Sequence, residues 1–294
     1  MSGLSDPIFE FKPKHFPLLT QKEIMRILKE GKFNPDLGYT DLEVKAHVLN
    51  HDGETHSGEE IPVNRRELEV ALSRGKREDV YVLKNGKLFK LSFFKNGRYY
   101  RLLDTGEAPT IEISGIRMHR TKGIGPWKDS ERKTLSLRPG KKHLDICTGL
   151  GYTAINALRF GSQEVITIEK DETILEIAEL NPWSRGLSSE RIKIKLGDAT
   201  ELIRDLEDSS FDSVLLDPPR MALAGELYSR EFYQEIFRVL KTGGRLFHYT
   251  GDPGGKYRGK DIQRGVMERL RVVGFSCRRD RENYGILAIK RSEF

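Results

Sequence analysis

The 294-residue chain carries 50 Lys and Arg against 44 Asp and Glu, for a net charge of +6 and a pI near 9.1. A mean hydropathy of −0.53, with no apolar run of membrane-spanning length, argues for a soluble protein and against a membrane-embedded one. Two cysteines, Cys147 and Cys277, sit in apolar strand-like segments without ligand spacing; this predicts no metal site and no disulfide framework, and a reduced cytoplasm is the simple setting.

Met1 to Glu10 contains Asp6 and Glu10 and lacks a basic segment followed by an apolar one, so no signal peptide is expected. Thr20 and Glu23 form a capping box ahead of the stripe Ile24, Ile27 and Leu28, and Gly31 ends that helix. The polar stretch 38–58 holds His47, His51 and His56, which without carboxylate or cysteine company read as solvated loop histidines. Asn64 and Glu67 form a second capping box, opening a helix through Leu68 and Leu72 to Gly75. Asn85-Gly86 and Asn96-Gly97 each separate β-rich runs, which predicts a three-stranded meander from Val80 to Leu103. Residues 1–112 thus read as a small α+β domain. Along it, Lys84, Lys87, Lys90, Lys95, Arg98 and Arg101 interleave with Phe89, Phe93, Phe94, Tyr99 and Tyr100. Two readings stay open: a surface that grips phosphates and stacks bases, or an aromatic core with a cationic rim. Residues 113–138 read as a linker, whose His119 and Arg120 are candidate substrate-binding residues.

From 139 to 294 the pattern changes to alternating strands and helices. His143 to Cys147 is a buried strand, Gly149 and Gly151 a turn, and Tyr152 to Phe160 a helix, which together make a cradle for a nucleotide-type cofactor. Ala154 stands where a dinucleotide fingerprint has its third glycine, and Asp145 sits beside the turn. A carboxylate repels a pyrophosphate but suits the ammonium and sulfonium of S-adenosylmethionine. Glu169, 20 residues past Gly149, closes a second strand at the place of a ribose-binding acid. A third strand ends at Gly197-Asp198-Ala199, where an adenine amine fits Asp198, and a fourth ends at Asp217-Pro218-Pro219-Arg220. Acid-tipped strands in alternation with helices line one crevice at the carboxyl edge of an open α/β sheet. Pro182 and Trp183 either cover the adenosine or pack their own turn. Ser229 to Leu240 is a helix, Arg245 to Tyr249 a fifth strand, Asp261 to Val273 a helix, and Phe275 to Arg278 with Ile286 to Ile289 an antiparallel pair. Arg258, Lys260, Arg264, Arg269, Arg271, Arg278, Arg279 and Arg281 make this end strongly basic, either as a site for substrate phosphates or as a solvated face.

From about Lys128 onward these motifs resemble the class I S-adenosylmethionine-dependent methyltransferases. The resemblance implies a Rossmann-like α/β fold with a seven-stranded sheet. It implies cofactor contacts from Asp145, Cys147, Thr148, Gly149, Gly151, Tyr152, Thr153, Glu169, Lys170, Asp198, Ala199 and Asp217. Asp-Pro-Pro at the fourth strand is similar to the motif of enzymes that methylate exocyclic base amines. There the Asp side chain and first Pro carbonyl accept hydrogen bonds from the amine, so Asp217, Pro218, Pro219 and Arg220 are the expected catalytic group, with Arg220 and Tyr249 toward the substrate. Arg220 replaces the usual stacking aromatic. Asp-Pro-Pro-Arg also resembles the RNA 5-methyluridine methyltransferases, but Gly251 stands in the place of their nucleophilic cysteine, which argues against covalent carbon-5 chemistry. The whole layout looks like a group of archaeal predicted methyltransferases. The expectation is therefore a cytoplasmic RNA methyltransferase acting on a base amine, best cytosine N4 of ribosomal RNA. A tRNA or DNA amine, or a polyamine aminopropyl transfer, is the alternative.

Overall fold

The structure, a computed structural model, describes residues 8–50, 59–251 and 261–291. Asp6, His51, His56, Asp252, Pro253, Arg258 and Lys260 lie outside the described residues. The described residues divide between two compact units: Pro13–Trp127 with Glu176–Arg185 form the first, and the remainder forms the second.

In the first unit two amphipathic helices, Gln21–Glu30 and Arg65–Arg74, bury Ile24, Ile27, Leu68 and Ala71 against Leu19, Phe33 and Tyr81. Thr20 caps the first helix as expected, its Oγ1 accepting from the Glu23 amide at 3.4 Å. The second capping box does not form. Asn64 makes no side-chain cap bond, and Glu67 Oε2 accepts instead from the Leu88 amide at 3.0 Å, tying the helix to the neighbouring hairpin. The predicted meander is also corrected. Lys87–Lys90 pairs with Val80–Lys84, whereas Ser92–Lys95 pairs with Arg98–Leu103 in a different sheet. The break falls at Leu91, 8% exposed, whose amide donates to the Val80 carbonyl while its own carbonyl accepts from Leu102. A buried apolar side chain with backbone bonds to both neighbours turns one long run into two strands. The segment 113–138 is ordered: Ile116–Arg117 adds a strand to the second hairpin's sheet, and Pro126–Leu137 is a helix.

The second unit is built on one large sheet, whose strands we number in chain order: β1 (Ile8–Phe9), β2 (Lys142–Ile146), β3 (Glu164–Glu169), β4 (Ile192–Leu196), β5 (Phe211–Leu216), β6 (Leu240–Tyr249), β7 (Phe275–Asp280) and β8 (Gly285–Lys290). The spatial order is β1-β4-β3-β2-β5-β6-β8-β7. β2 to β6 are parallel and β8 runs antiparallel between β6 and β7. The expected seven strands are all present, and β1 adds an eighth, antiparallel to β4, from residues that the sequence places with the first domain. The helices that lie wholly or partly in this unit are α1 (Pro126–Leu137, from Lys128), α2 (Tyr152–Arg159), α3 (Glu172–Leu180, to Leu175), α4 (Ala199–Leu202), α5 (Arg230–Val239) and α6 (Ile262–Val273). α5 and α6 cover one face through Phe232, Ile236, Val266 and Leu270, while Leu137 of α1 meets Leu215, Phe247 and Leu287 on the other. Covering on both faces is why β2, β3 and β5 read as continuous apolar runs. Strand order reverses between β2 and β5, so the loops that follow them open a crevice at the carboxyl edge.

Candidate active site

β2 brings Asp145 to the carboxyl edge, fully buried. Its Oδ2 accepts from Thr167 Oγ1 at 2.7 Å, and Thr167 in turn shares a 2.6 Å bond with Thr148. Oδ1 has no hydrogen-bond partner among the described residues. Burial pushes the carboxyl up to about 7, and the charges of Asp217 and Glu169 push the same way. A buried carboxylate oxygen with no donor calls for one, and an ammonium answers that need.

After β2 the backbone alternates in hand. Cys147 has φ +73°, Gly149 +56° and Gly151 +79°. A non-glycine residue in the left-handed region is strained, and such strain gathers at ligand sites. Gly151 has a second constraint: a Cβ there would lie 2.5 Å from Leu187 side-chain atoms. Gly151 caps α2 without a side chain, so the helix begins with its positive dipole end open toward the turn. Tyr152 and Thr153, the first helical residues, are buried. Glu169 at the end of β3 accepts from the Gly149 amide at 2.9 Å through Oε2, and from the Lys170 and Asp171 amides through Oε1. It therefore pins the turn as well as presenting an acid. Burial raises its pKa against those three amide bonds.

Asp198 caps α4, its Oδ1 accepting from the Thr200 amide at 2.9 Å, and its Oδ2 pairs with Lys170 Nζ at 2.6 Å. Lys170 thus reaches the site through Asp198. Ala199 is buried beside it.

At the end of β5, Asp217 Oδ2 accepts from Lys133 Nζ at 2.9 Å. Lys133, on α1, is 2% exposed and also pairs with the wholly buried Asp129 at 2.8 Å; its ammonium lies 3.7 Å from the centre of the Tyr249 ring. Burial works against that charge, but Asp217 and Asp129 outweigh it and Lys133 is held protonated. Burial likewise pushes the Asp217 carboxyl up, and Lys133 opposes this. Oδ1 of Asp217 makes no hydrogen bond among the described residues. The next two carbonyls differ. Pro219 accepts from Tyr228 Oη at 3.0 Å, whereas that of Pro218 has no partner among the described residues. Tyr228 is buried against His248, and His248 Nδ1 meets Tyr233 Oη at 3.1 Å. Burial drops the His248 imidazole to about 3, so it stays neutral. Arg220 is exposed.

Sequence reading missed Asp129, Lys133 and Tyr228. The Asp129–Lys133 spacing of four, with Leu137 a further four along, was the available signal; a lysine in a charged helix looks like surface until its partner strand is known. Cys147 lies in the field of Glu169, Asp217, Asp145 and Asp198, and burial with those charges pushes its thiol well above the ordinary range, which removes it as a nucleophile. Trp183 packs in the first unit, against Trp127 and Tyr39 at 5.5 Å each, with its indole donating to the Leu37 carbonyl. His119 also belongs to that unit, its Nδ1 3.0 Å from Thr110 Oγ1, and Arg120 follows it. Among the described residues no group of three His, Cys, Asp or Glu is placed to hold a metal, and no helix is long and apolar enough to cross a membrane.

A family model described as a methyltransferase domain matches residues 137–263, the span that holds the glycine turn and Asp217 to Arg220. The fold, the acid-tipped crevice and this match define an S-adenosylmethionine-dependent methyltransferase. Ribosomal RNA large subunit methyltransferase I of Photobacterium profundum is 27% identical over 165 residues, covering 50% of this chain and 42% of that one. The uncharacterized protein MJ1233 of Methanocaldococcus jannaschii is 56% identical over 214 residues, 72% of this chain and 73% of that protein, and the chain belongs to its family. Among solved structures, a spermidine synthase from Thermotoga maritima superposes with a TM-score of 0.55 at 21% identity, over 71% of this chain and 75% of that one, a likeness of fold alone.

Proposed function

We propose that the enzyme methylates an exocyclic amine of an RNA base, with cytosine N4 of ribosomal RNA as the best candidate. The observation that carries this reading is a pair of unsatisfied acceptors side by side in sequence: Asp217 Oδ1 and the Pro218 carbonyl, each without a partner among the described residues. Their neighbours are occupied, Asp217 Oδ2 by Lys133 and the Pro219 carbonyl by Tyr228. An amino group has two N–H donors, so it fits two acceptors. Accepting both protons draws the nitrogen lone pair out of conjugation with the ring and orients it for attack. Lys133 holds Asp217 in one rotamer from behind, and Tyr228 fixes the turn of the Pro-Pro segment.

The cofactor fits the residues present. Asp145 Oδ1 would answer its ammonium and the amides at the start of α2 its carboxylate, while Glu169 would meet its ribose hydroxyls through lone pairs not used by the turn amides; Asp198 and Ala199 would be the adenine contacts. S-adenosylmethionine supplies an activated methyl on a sulfonium, so the protein's part is alignment, desolvation and removal of the amine proton. We assign stacking on the base to the guanidinium plane of the exposed Arg220, and a further substrate contact to Tyr249. The RNA assignment is supported by the net charge of +6 and by the named activity of the Photobacterium relative.

Nucleoside mass spectrometry of RNA from cells with and without the gene tests this directly, and one N-methylated base should disappear with the gene. In vitro, Asp217→Asn keeps the shape but loses an acceptor lone pair and the charge. It should lower kcat by about 100-fold or more with cofactor affinity little changed. Full-rate RNA labelling by that variant, or aminopropyl transfer to a polyamine by the wild type, would overturn the reading.

A further inference from the structure

The carboxyl edge of the large sheet carries a second feature, away from the cofactor cradle. A cavity of about 770 Å³ is lined by Arg132, Leu135 and Ser136 of α1 and by the run Arg278 to Asn283, which is the end of β7 and its turn into β8. Arg132, Arg278 and Arg281 line it together with the carboxylate residues Asp280 and Glu282, and Arg279 borders it. Asp280 is already engaged, holding Ser136 Oγ and the Asn283 side chain, and so serves as the floor. Arg279 pairs with Asp261 on the α6 side of the sheet. Arg132, Arg278 and Arg281 are exposed and make no ion pair or hydrogen bond among the described residues.

Strand register locates the cavity relative to the chemistry. Leu216 of β5 pairs with His248, His248 with Ile286, and Ile286 with Arg279; one step further, Tyr249, Gly285 and Asp280 share a row at the same edge as Asp217. β7 runs parallel to β5 and β6, so its carboxyl end opens on the crevice side. Three strand spacings separate β5 from β7, about 14 Å. Alternation along β7 puts Arg278 with Asp280 on the α1 face, where Arg132 projects, while Arg279 points to the opposite face. α1 therefore joins the two places: Lys133 holds Asp217, and the next residue back, Arg132, lines the cavity.

We propose that this cavity is a phosphate-binding site for the sugar-phosphate backbone flanking the target nucleotide. Three guanidinium groups without partners among the described residues, around a polar concavity, suit a phosphodiester, which accepts bidentate bonds from planar donors. The site rests on the reading of RNA as substrate and adds to it the place where the strand is held.

The test compares wild type with Arg132→Ala/Arg278→Ala/Arg281→Ala, using a short fluorescent single-stranded RNA that contains the target and, separately, S-adenosylmethionine alone. The variant should keep its melting temperature and cofactor affinity. Its KM for RNA should rise by about 10-fold or more with kcat at saturation nearly unchanged. The slope of log Kd for the RNA against log salt should fall by about 0.7 for each phosphate no longer neutralised. Arg278→Lys/Arg281→Lys, which keeps charge without the fork, should recover the salt slope and only part of the affinity. An unchanged KM and salt slope in the triple alanine variant, with wild type active on RNA, overturns the site and leaves the function standing. Binding of RNA that depends on these arginines, with no methyl transferred to any RNA, supports the site and overturns the function. A wild type that binds no RNA overturns both.

Discussion

Asp145 is the residue whose titration the protein has altered most usefully. Its carboxyl is pushed from 3.8 to about 7 because the side chain is buried, with the hydroxyls of Thr167 and Thr153 opposing and the charges of Asp217 and Glu169 adding to the rise. A raised carboxyl pKa means the native state favours the protonated form. The stability it contributes is complete below about pH 3.8 and is lost as the pH rises through about 7. An ammonium ligand needs the ionised form, so binding and stability pull oppositely. Cofactor affinity should therefore rise with pH, approaching tenfold per unit below pH 7 and levelling above it, with Asp145→Asn flattening the profile. Isothermal titration from pH 5.5 to 8.5 checks this, and a pH-independent Kd in the wild type would remove Asp145 from the ammonium contact. The same residue shows what sequence can reach: an acid beside a glycine turn pointed to a cationic ligand. That Thr167 takes one oxygen and leaves the other bare could not be read, because it depends on a side chain from the adjacent strand.

Among elements, the link from β2 to α2 is the most constrained. Gly151 combines φ +79° with a contact of 2.5 Å between any added Cβ and Leu187. Gly151→Ala should cost stability twice, by about 1–2 kcal/mol for the left-handed backbone and by more for the overlap. The turn would shift and cofactor binding should weaken by at least 10-fold. Leu187→Ala placed in the same chain should relieve the overlap and return part of the melting temperature but not the backbone term. Equal melting temperatures for wild type and Gly151→Ala would show that the turn adjusts freely. The glycines here were visible as a pattern. The left-handed Cys147 was not, since nothing in Ile-Cys-Thr marks a strained residue. The hairpins teach a related lesson: both Asn-Gly turns formed, yet Leu91 divided the strand between them because its burial serves both sheets.

At the scale of the molecule, the chain order and the units do not coincide. Residues Glu176–Arg185 interrupt the methyltransferase segment and pack with Pro13–Trp127, where Trp183 lies between Tyr39 and Trp127 and bonds Leu37. Trp183→Ala should destabilise this first unit by about 3 kcal/mol, near the low end for such truncations because the ring is half-buried. Calorimetry checks this, and an unaltered thermogram would show that the aromatic cluster carries no weight. The alternation of apolar runs with helices, the glycine turn and the acids at the strand ends determined the α/β fold and the methyltransferase class from sequence alone, because those signals are local and periodic. Only the tertiary structure decided that Lys133 lies buried between Asp129 and Asp217, that Ile8–Phe9 joins the large sheet, and that the arginines of α1 and β7 converge on one cavity. These depend on which distant segments meet, and a side chain's partners across a sheet leave no periodic trace in its own segment.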